Sequence, residues 1–142
     1  EPKWVINQEL LNQIAPPPSW FEEEMQRQLT ELERRRHRYC GERPAPVLTD
    51  RCVIVIDDGI ATGATVRAAL KGLKQSKPSH VVLAVPVGPR DVIEMLKTEV
   101  DELVCLAMPE PFIGVGCHYG NFEQTSDEQV VDLLARAAGP AW

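Results

Sequence analysis

The chain has 142 residues, 44% of them hydrophobic and 25% charged, and a net charge of −6. That length suits one domain with a single core, and the balance is that of an ordinary globular protein. The acidic excess argues against a general nucleic-acid surface, which needs a basic face, and no apolar run approaches the length of a membrane helix.

Lys3-Trp4-Val5-Ile6-Asn7 reads as a short strand or a lead-in, and Leu10, Leu11 and Ile14 suggest a brief helix. Ala15-Pro16-Pro17-Pro18 ends it, because proline supplies no donor and turns the preceding residue away from helix. Ser19, with Glu22 three residues on, then predicts a capping box at the start of a long helix. Glu22, Glu23 and Glu24 lie towards its positive end, and Arg34, Arg35, Arg36 and Arg38 towards its negative end. The arginines are therefore read as a solvated helix terminus rather than a phosphate patch. Phe21, Met25, Leu29, Leu32 and Tyr39 form a narrow apolar stripe suited to docking on a core or on another helix. Gly41 is the expected stop, residues 1–42 form a helical lead-in, and residues 43–50, with Pro44 and Pro46, form a linker.

From residue 51 the pattern becomes strand-then-helix, and residues 51–142 are expected to hold a βαβ core followed by a loop and a helix. Cys52–Ile56 is the first strand, its β-branched run predicting burial on both faces. A helix follows over Thr65–Leu73 with Val66, Ala69, Leu70 and Leu73 on one side. The next elements are a strand over Val81–Val87, a helix over Pro89–Val100 and a strand over Leu103–Met108. Such alternation predicts right-handed crossovers and a parallel sheet. Pro109–Phe122 is irregular and glycine-rich. Ser126 with Gln129 is a second capping-box pattern, opening a helix whose core face carries Val130, Val131, Leu133 and Leu134. The four cysteines, Cys40, Cys52, Cys105 and Cys117, show no C-x-x-C spacing. Cys52 and Cys105 are expected as small buried hydrophobes, and all four as reduced thiols in a cytoplasmic protein. No signal peptide is visible, and a chain that opens on Glu1 is expected to be processed or a piece of a longer protein.

The chemistry concentrates where the first strand ends. Asp57 and Asp58 fall at its carboxyl end, where open α/β sheets bind ligands. Ala61-Thr62-Gly63-Ala64-Thr65 forms a turn that can aim backbone N–H groups and two hydroxyls at one anion, beside a positive helix terminus. Carboxylates next to an anion nest suit a ligand with both hydroxyls and phosphate, as in a sugar phosphate. A Walker B strand is disfavoured because no G-x-x-x-x-G-K-[ST] occurs. Gly114-Val115-Gly116-Cys117-His118-Tyr119-Gly120 has the wrong spacing for a dinucleotide fingerprint and is read as a mobile loop. His37 and His80 are expected at the surface, and Cys117 beside His118 is given no role.

The run Val53–Thr65 resembles the signature of the type I phosphoribosyltransferases, which use 5-phosphoribosyl 1-pyrophosphate (PRPP) with magnesium. Glu31–Arg35, Pro109–Phe112 and Ser126–Glu128 extend the similarity to a bacterial group of phosphoribosyltransferases. The resemblance implies an α/β fold: a parallel, Rossmann-like sheet, here incomplete, behind a long N-terminal amphipathic helix. It implies transfer of phosphoribosyl to a nitrogen acceptor, an unidentified base, with release of pyrophosphate. It places Asp57 and Asp58 on the ribose hydroxyls, as both catalytic and substrate-binding residues, and wraps Ala61, Thr62, Gly63, Ala64 and Thr65 round the 5-phosphate. Magnesium would be held through the ligand and water rather than by direct protein ligands. The expected partners are small molecules, with no nucleic acid or membrane and with a homo-oligomer open. Two departures stand out. Ala61 replaces the acid with which purine-salvage members contact the base, and no pyrophosphate loop precedes Asp50. A PRPP- or nucleotide-binding regulatory module, or an inactive fragment that folds by pairing through an open sheet edge, therefore stands beside the enzyme reading.

Overall fold

The computed structural model describes residues 12, 14 and 16–138. Lys3–Asn7, Leu10 and Leu11 lie outside them, whereas Asn12 and Ile14 are helical. Two compact units result: one holds Pro46–Phe122, and the other holds a helix from each side of it in sequence.

The first unit is a three-stranded parallel sheet of order β1-β2-β3, with β1 at Cys52–Ile56, β2 at His80–Val87 and β3 at Glu102–Ala107. Helix α2, Ala64–Gln75, follows β1, and α3, Arg90–Lys97, follows β2. Register runs from Cys52 opposite His80 to Ile56 opposite Ala84, and from Val82 opposite Glu102 to Val87 opposite Ala107. The alternation read from the sequence is therefore correct to within a few residues at each end. Pro89 caps α3 instead of starting it, and the turn at Thr98 and Glu99 ends that helix before Val100.

The core lies on one side of the sheet. Val81, Leu83 and Val85 of β2 pack with Val66 and Leu70 of α2 and with Ile93 and Leu96 of α3, while Val55, Leu103 and Cys105 sit against the cluster. Leu83, Ile93 and Leu96 are fully buried. The expectation that β1 is covered on both faces fails: Ile54 is 60% exposed and Ile56 77%. Both crossovers move the same way across the sheet, and right-handed connections then put both helices on one face. Cys52 shares the open side and is exposed, and Cys105 is half-buried, so neither is the fully buried residue the sequence suggested.

The second unit consists of α1, Pro18–Cys40, and α4, Asp127–Ala138. The Ser19/Glu22 capping box does not form. Pro18 takes the first helical position, where its missing N–H costs nothing, and Pro17 caps it in extended geometry without a side-chain bond. Glu22–Glu24 consequently lie beyond the first turn, and Glu24 binds Arg27 instead, at 2.6 Å. Gly41 ends α1 at φ 59° with its N–H on the His37 carbonyl. The second capping box is real: Ser126 N–H donates to Gln129 Oε1 at 2.8 Å, and Gln129 N–H to Ser126 Oγ at 3.3 Å.

Charge pairs join the two helices. Tyr39 donates its hydroxyl to Asp127 at 2.5 Å, Arg34 reaches the same carboxylate at 2.6 Å, and Arg38 reaches Glu128 at 2.6 Å. Arg35 pairs with Glu31 and Arg36 with Glu33, so the arginine cluster is a network of exposed ion pairs. Arginine neighbours hold the Asp127 carboxyl down at about 2, with the Tyr39 hydroxyl helping.

Candidate functional site

The site is built where β1 runs out. Asp57 still pairs with β2, its N–H on the Ala84 carbonyl at 3.4 Å. Three residues later Ile60 returns, its N–H on the Val87 carbonyl at 2.9 Å and its side chain buried in the core. Asp57 and Asp58 are thus held in a short arch over the carboxyl end of the sheet. Gly59, within the arch, is closely covered, and a Cβ there would lie 2.6 Å from Val115 Cγ1 and 2.9 Å from Val87 Cγ1. Asp57 turns one carboxylate oxygen back to accept the Asp58 N–H at 3.0 Å, while the Asp58 side chain is exposed. Partial burial pushes the Asp57 carboxyl above its usual range; the Asp58 charge adds to this, and the Asp58 N–H opposes it.

Ala61 and Thr62 are exposed and lead into Gly63, which caps α2 in the left-handed conformation at φ 75°. A side chain there would be strained, and its Cβ would press Val92 Cγ1 at 3.0 Å. The Gly63 carbonyl accepts the Arg67 N–H at 2.9 Å, and the Thr62 hydroxyl accepts the Ala64 N–H at 3.4 Å. Amides of a first helical turn have no acceptor within the helix, and α2 carries no acidic side chain in that turn to compete for an anion. Thr65 is exposed on the same turn. The structure thus brings the seven residues singled out from the sequence into one continuous loop, with the acids on its strand side and the hydroxyls and amides on its helix side.

Sequence reasoning missed a third component. Tyr119 donates its hydroxyl to the backbone carbonyl of Asp58 at 2.5 Å. Gly114–Gly120, expected to be a mobile loop, contains a 3-10 turn, Val115–His118, and His118 stacks on Phe112 with centroids 5.5 Å apart. Tyr119 and Phe122 lie ring to ring at 5.1 Å. The partners of these aromatic residues cannot be read from a linear chain. Nearby in the fold, Pro89, Arg90, Asp91, Pro109, Glu110 and Phe112 line a cleft of about 420 Å³. A larger groove of about 1480 Å³ runs between α1 and α4, past Leu29, Val131 and Ala135, and includes none of the loop residues. No cluster of three or more His, Cys, Asp or Glu side chains suited to a metal occurs among the described residues.

The phosphoribosyl transferase domain profile matches residues 18–119. The chain belongs to that family. Two Mycobacterium tuberculosis proteins, "Putative phosphoribosyl transferase MT0597" (strain CDC 1551 / Oshkosh) and "Putative phosphoribosyl transferase Rv0571c" (strain H37Rv), are each 48% identical over 111 residues, covering 78% of this chain. The chain spans only 25% of their length. The crystal structure of TT1426 from Thermus thermophilus superposes on 96% of the chain with a TM-score of 0.74 and 36% identity, and 64% of that protein is covered. The phosphoribosyltransferase resemblance and the partial parallel α/β core therefore both stand. No helix among the described residues is long and apolar enough to cross a membrane.

Proposed function

We propose that this chain carries the ribose 5-phosphate half of a PRPP site. Within the protein to which it belongs, that site transfers phosphoribosyl to a nitrogen acceptor. The observation that carries this reading is the loop itself: two carboxylates at the end of a parallel strand, followed without a break by a left-handed glycine at a helix N-terminus. Carboxylates accept charge-assisted bonds from a diol, and the turn's amides suit a phosphate dianion. In the reaction, the anomeric carbon exchanges its bond to pyrophosphate oxygen for one to nitrogen, and the acceptor loses a proton. Positive charge developing on the ribose ring is stabilised by a nearby carboxylate. Asp57 and Asp58 fill that role, with Ala61, Thr62, Gly63, Ala64 and Thr65 enclosing the phosphate.

Magnesium fits this donor set as a ligand-borne ion. With no three-ligand cluster among the described residues, it would be held by PRPP oxygens, water and at most the aspartates, as its reluctance to dehydrate favours. Its chemistry would be to neutralise the pyrophosphate leaving group. The acceptor is a small base, and four free thiols suit the reducing cytoplasm. Binding without turnover is the second reading. It is favoured by the span of the chain, which covers 64% of its structural relative and whose described strands number three.

Calorimetry with PRPP and magnesium tests the proposal. The wild-type chain should bind, and Asp57→Asn or Asp58→Asn should each weaken binding by roughly ten- to a hundredfold, the worth of a hydrogen bond to a charged group. No binding, or unchanged binding in the double variant, rejects it. Pyrophosphate release with a panel of bases, measured on the longer protein, then separates enzyme from sensor.

A further inference from the structure

The two carboxylates of the arch are not held in the same way. Asp57 is anchored through its own side chain, which accepts the Asp58 N–H at 3.0 Å. The Asp58 side chain is exposed and no neighbour is shown to orient it, so the backbone that bears it sets where the carboxylate can reach. That backbone is pinned to β2 at Asp57 and again at Ile60. Between these pins the backbone hydrogen bonds leave the plane of the Asp58–Gly59 peptide to be fixed by what its carbonyl meets. Tyr119 holds it, through a hydroxyl bond of 2.5 Å that spans 61 positions in sequence.

The tyrosine is itself carried by an ordered turn. Its N–H donates to the Gly116 carbonyl at 3.3 Å, Cys117 N–H to the Gly114 carbonyl at 3.3 Å, and its ring rests on Phe122. Val115, from the same turn, lies so close over Gly59 that a Cβ there would meet its Cγ1 at 2.6 Å. One segment thus grips the arch twice, by a hydrogen bond at the Asp58 carbonyl and by methyl packing on the next residue.

We infer that Tyr119 is a positioning residue for Asp58: it fixes the peptide plane that aims the Asp58 carboxylate at the ribose hydroxyls, without touching the ligand. The inference rests on the ribose 5-phosphate reading and adds the residue that sets its geometry. A fixed donor-to-carbonyl bond keeps the carboxylate in a competent direction before the ligand arrives, and a constellation held in place in advance binds more tightly than one ordered on binding. The phosphate side of the loop, from Ala61 to Thr65, is held by Gly63 and the start of α2 and does not depend on the latch.

That division gives the test. Tyr119→Phe deletes one hydroxyl and keeps the ring on Phe122. Ribose 5-phosphate and inorganic phosphate are each titrated into isotope-labelled full chain, and the amide resonances of Thr62–Val66 report binding. The variant should bind ribose 5-phosphate roughly five- to tenfold more weakly, the range of one hydrogen bond, and bind inorganic phosphate like the wild type. Tyr119→Leu, which also removes the ring contact, should show at least the same selective loss. Equal affinity of wild type and Tyr119→Phe for ribose 5-phosphate overturns the inference while leaving the sugar-phosphate site standing. Equal weakening of both ligands also overturns it, since that is the mark of general damage to the loop. Failure of the wild type to bind either ligand removes the site and the positioning role together.

Discussion

Asp57 carries a conflict between stability and function. Burial raises its carboxyl, the Asp58 charge raises it further, and the Asp58 N–H only partly compensates. A carboxyl whose folded value lies above its unfolded value of about 3.9 contributes stability that is complete below the unfolded value. That contribution is lost as pH rises through the folded one. At neutral pH the charged form is therefore a cost to the fold. Asp57→Asn should melt at a higher temperature than wild type at neutral pH, and the difference should shrink as the buffer is acidified below the carboxyl range. Thermal scans at several pH values check this, and a lower melting point at neutral pH would contradict it. Groups poised in this way mark functional sites, where a destabilised charge is kept for its chemistry. Gly63 has the opposite character, because fold and function want the same residue. At φ 75° with Val92 close by, Gly63→Ala should cost about 1–2 kcal/mol in denaturant titration and weaken phosphate binding as well.

At the scale of elements, charge pairs join α1 to α4. Among the described residues, none of the buried hydrophobic residues of the core belongs to either helix, and Leu32, Leu133 and Leu134 are exposed. Asp127 receives Tyr39 and Arg34, and its carboxyl is held at about 2. A depressed carboxyl contributes stability that is present above the unfolded value of about 3.9 and lost as pH falls through about 2. Acid should therefore loosen α1 from α4 over that window, and less so in Asp127→Asn, which keeps only the Arg38–Glu128 pair to lose, with high salt blunting the effect because these groups are exposed. Far-UV circular dichroism against pH reads the outcome. Ser126→Ala should remove about 1 kcal/mol of helix stability through loss of the cap. The two capping-box patterns show how much local sequence can tell. Ser126 has no proline at the first helical position to pre-empt it, and its box with Gln129 forms. Ser19 follows Pro18, which already suits the first helical position, so the same pattern is pre-empted one residue earlier. Strands and helices of the α/β core were legible because their periodicity is local, and Asp57 to Thr65 were legible because the loop is continuous. The Tyr119 bond was not, since nothing short of the fold brings residues 61 positions apart together.

The least legible feature belongs to the molecule as a whole. Four β-branched residues in β1 signal a strand buried on both faces, yet only one face is covered. Hydrophobic pattern records what a strand is suited to meet, not what is present to meet it. Ile54, Ile56, Val104 and Leu106 all stand exposed, Leu106 at 79%, on the side away from α2 and α3. The chain also covers only 64% of its structural relative. The exposed thiols of Cys40, Cys52 and Cys117 should react quickly with a thiol reagent in the native state, and half-buried Cys105 more slowly. A paired substitution then weighs the two faces of the same sheet. Leu83 is completely buried under the helices, so Leu83→Ala should cost about 2–5 kcal/mol in denaturant unfolding. Ile56, 77% exposed, has little burial to lose, so Ile56→Ala in this chain should stay within about 0.5 kcal/mol. Made in a longer protein that covers this face, Ile56→Ala should instead approach the cost of the core substitution. A large cost in the present chain would mean that the face is already covered, whereas a small cost in both would mean that it is open surface in each.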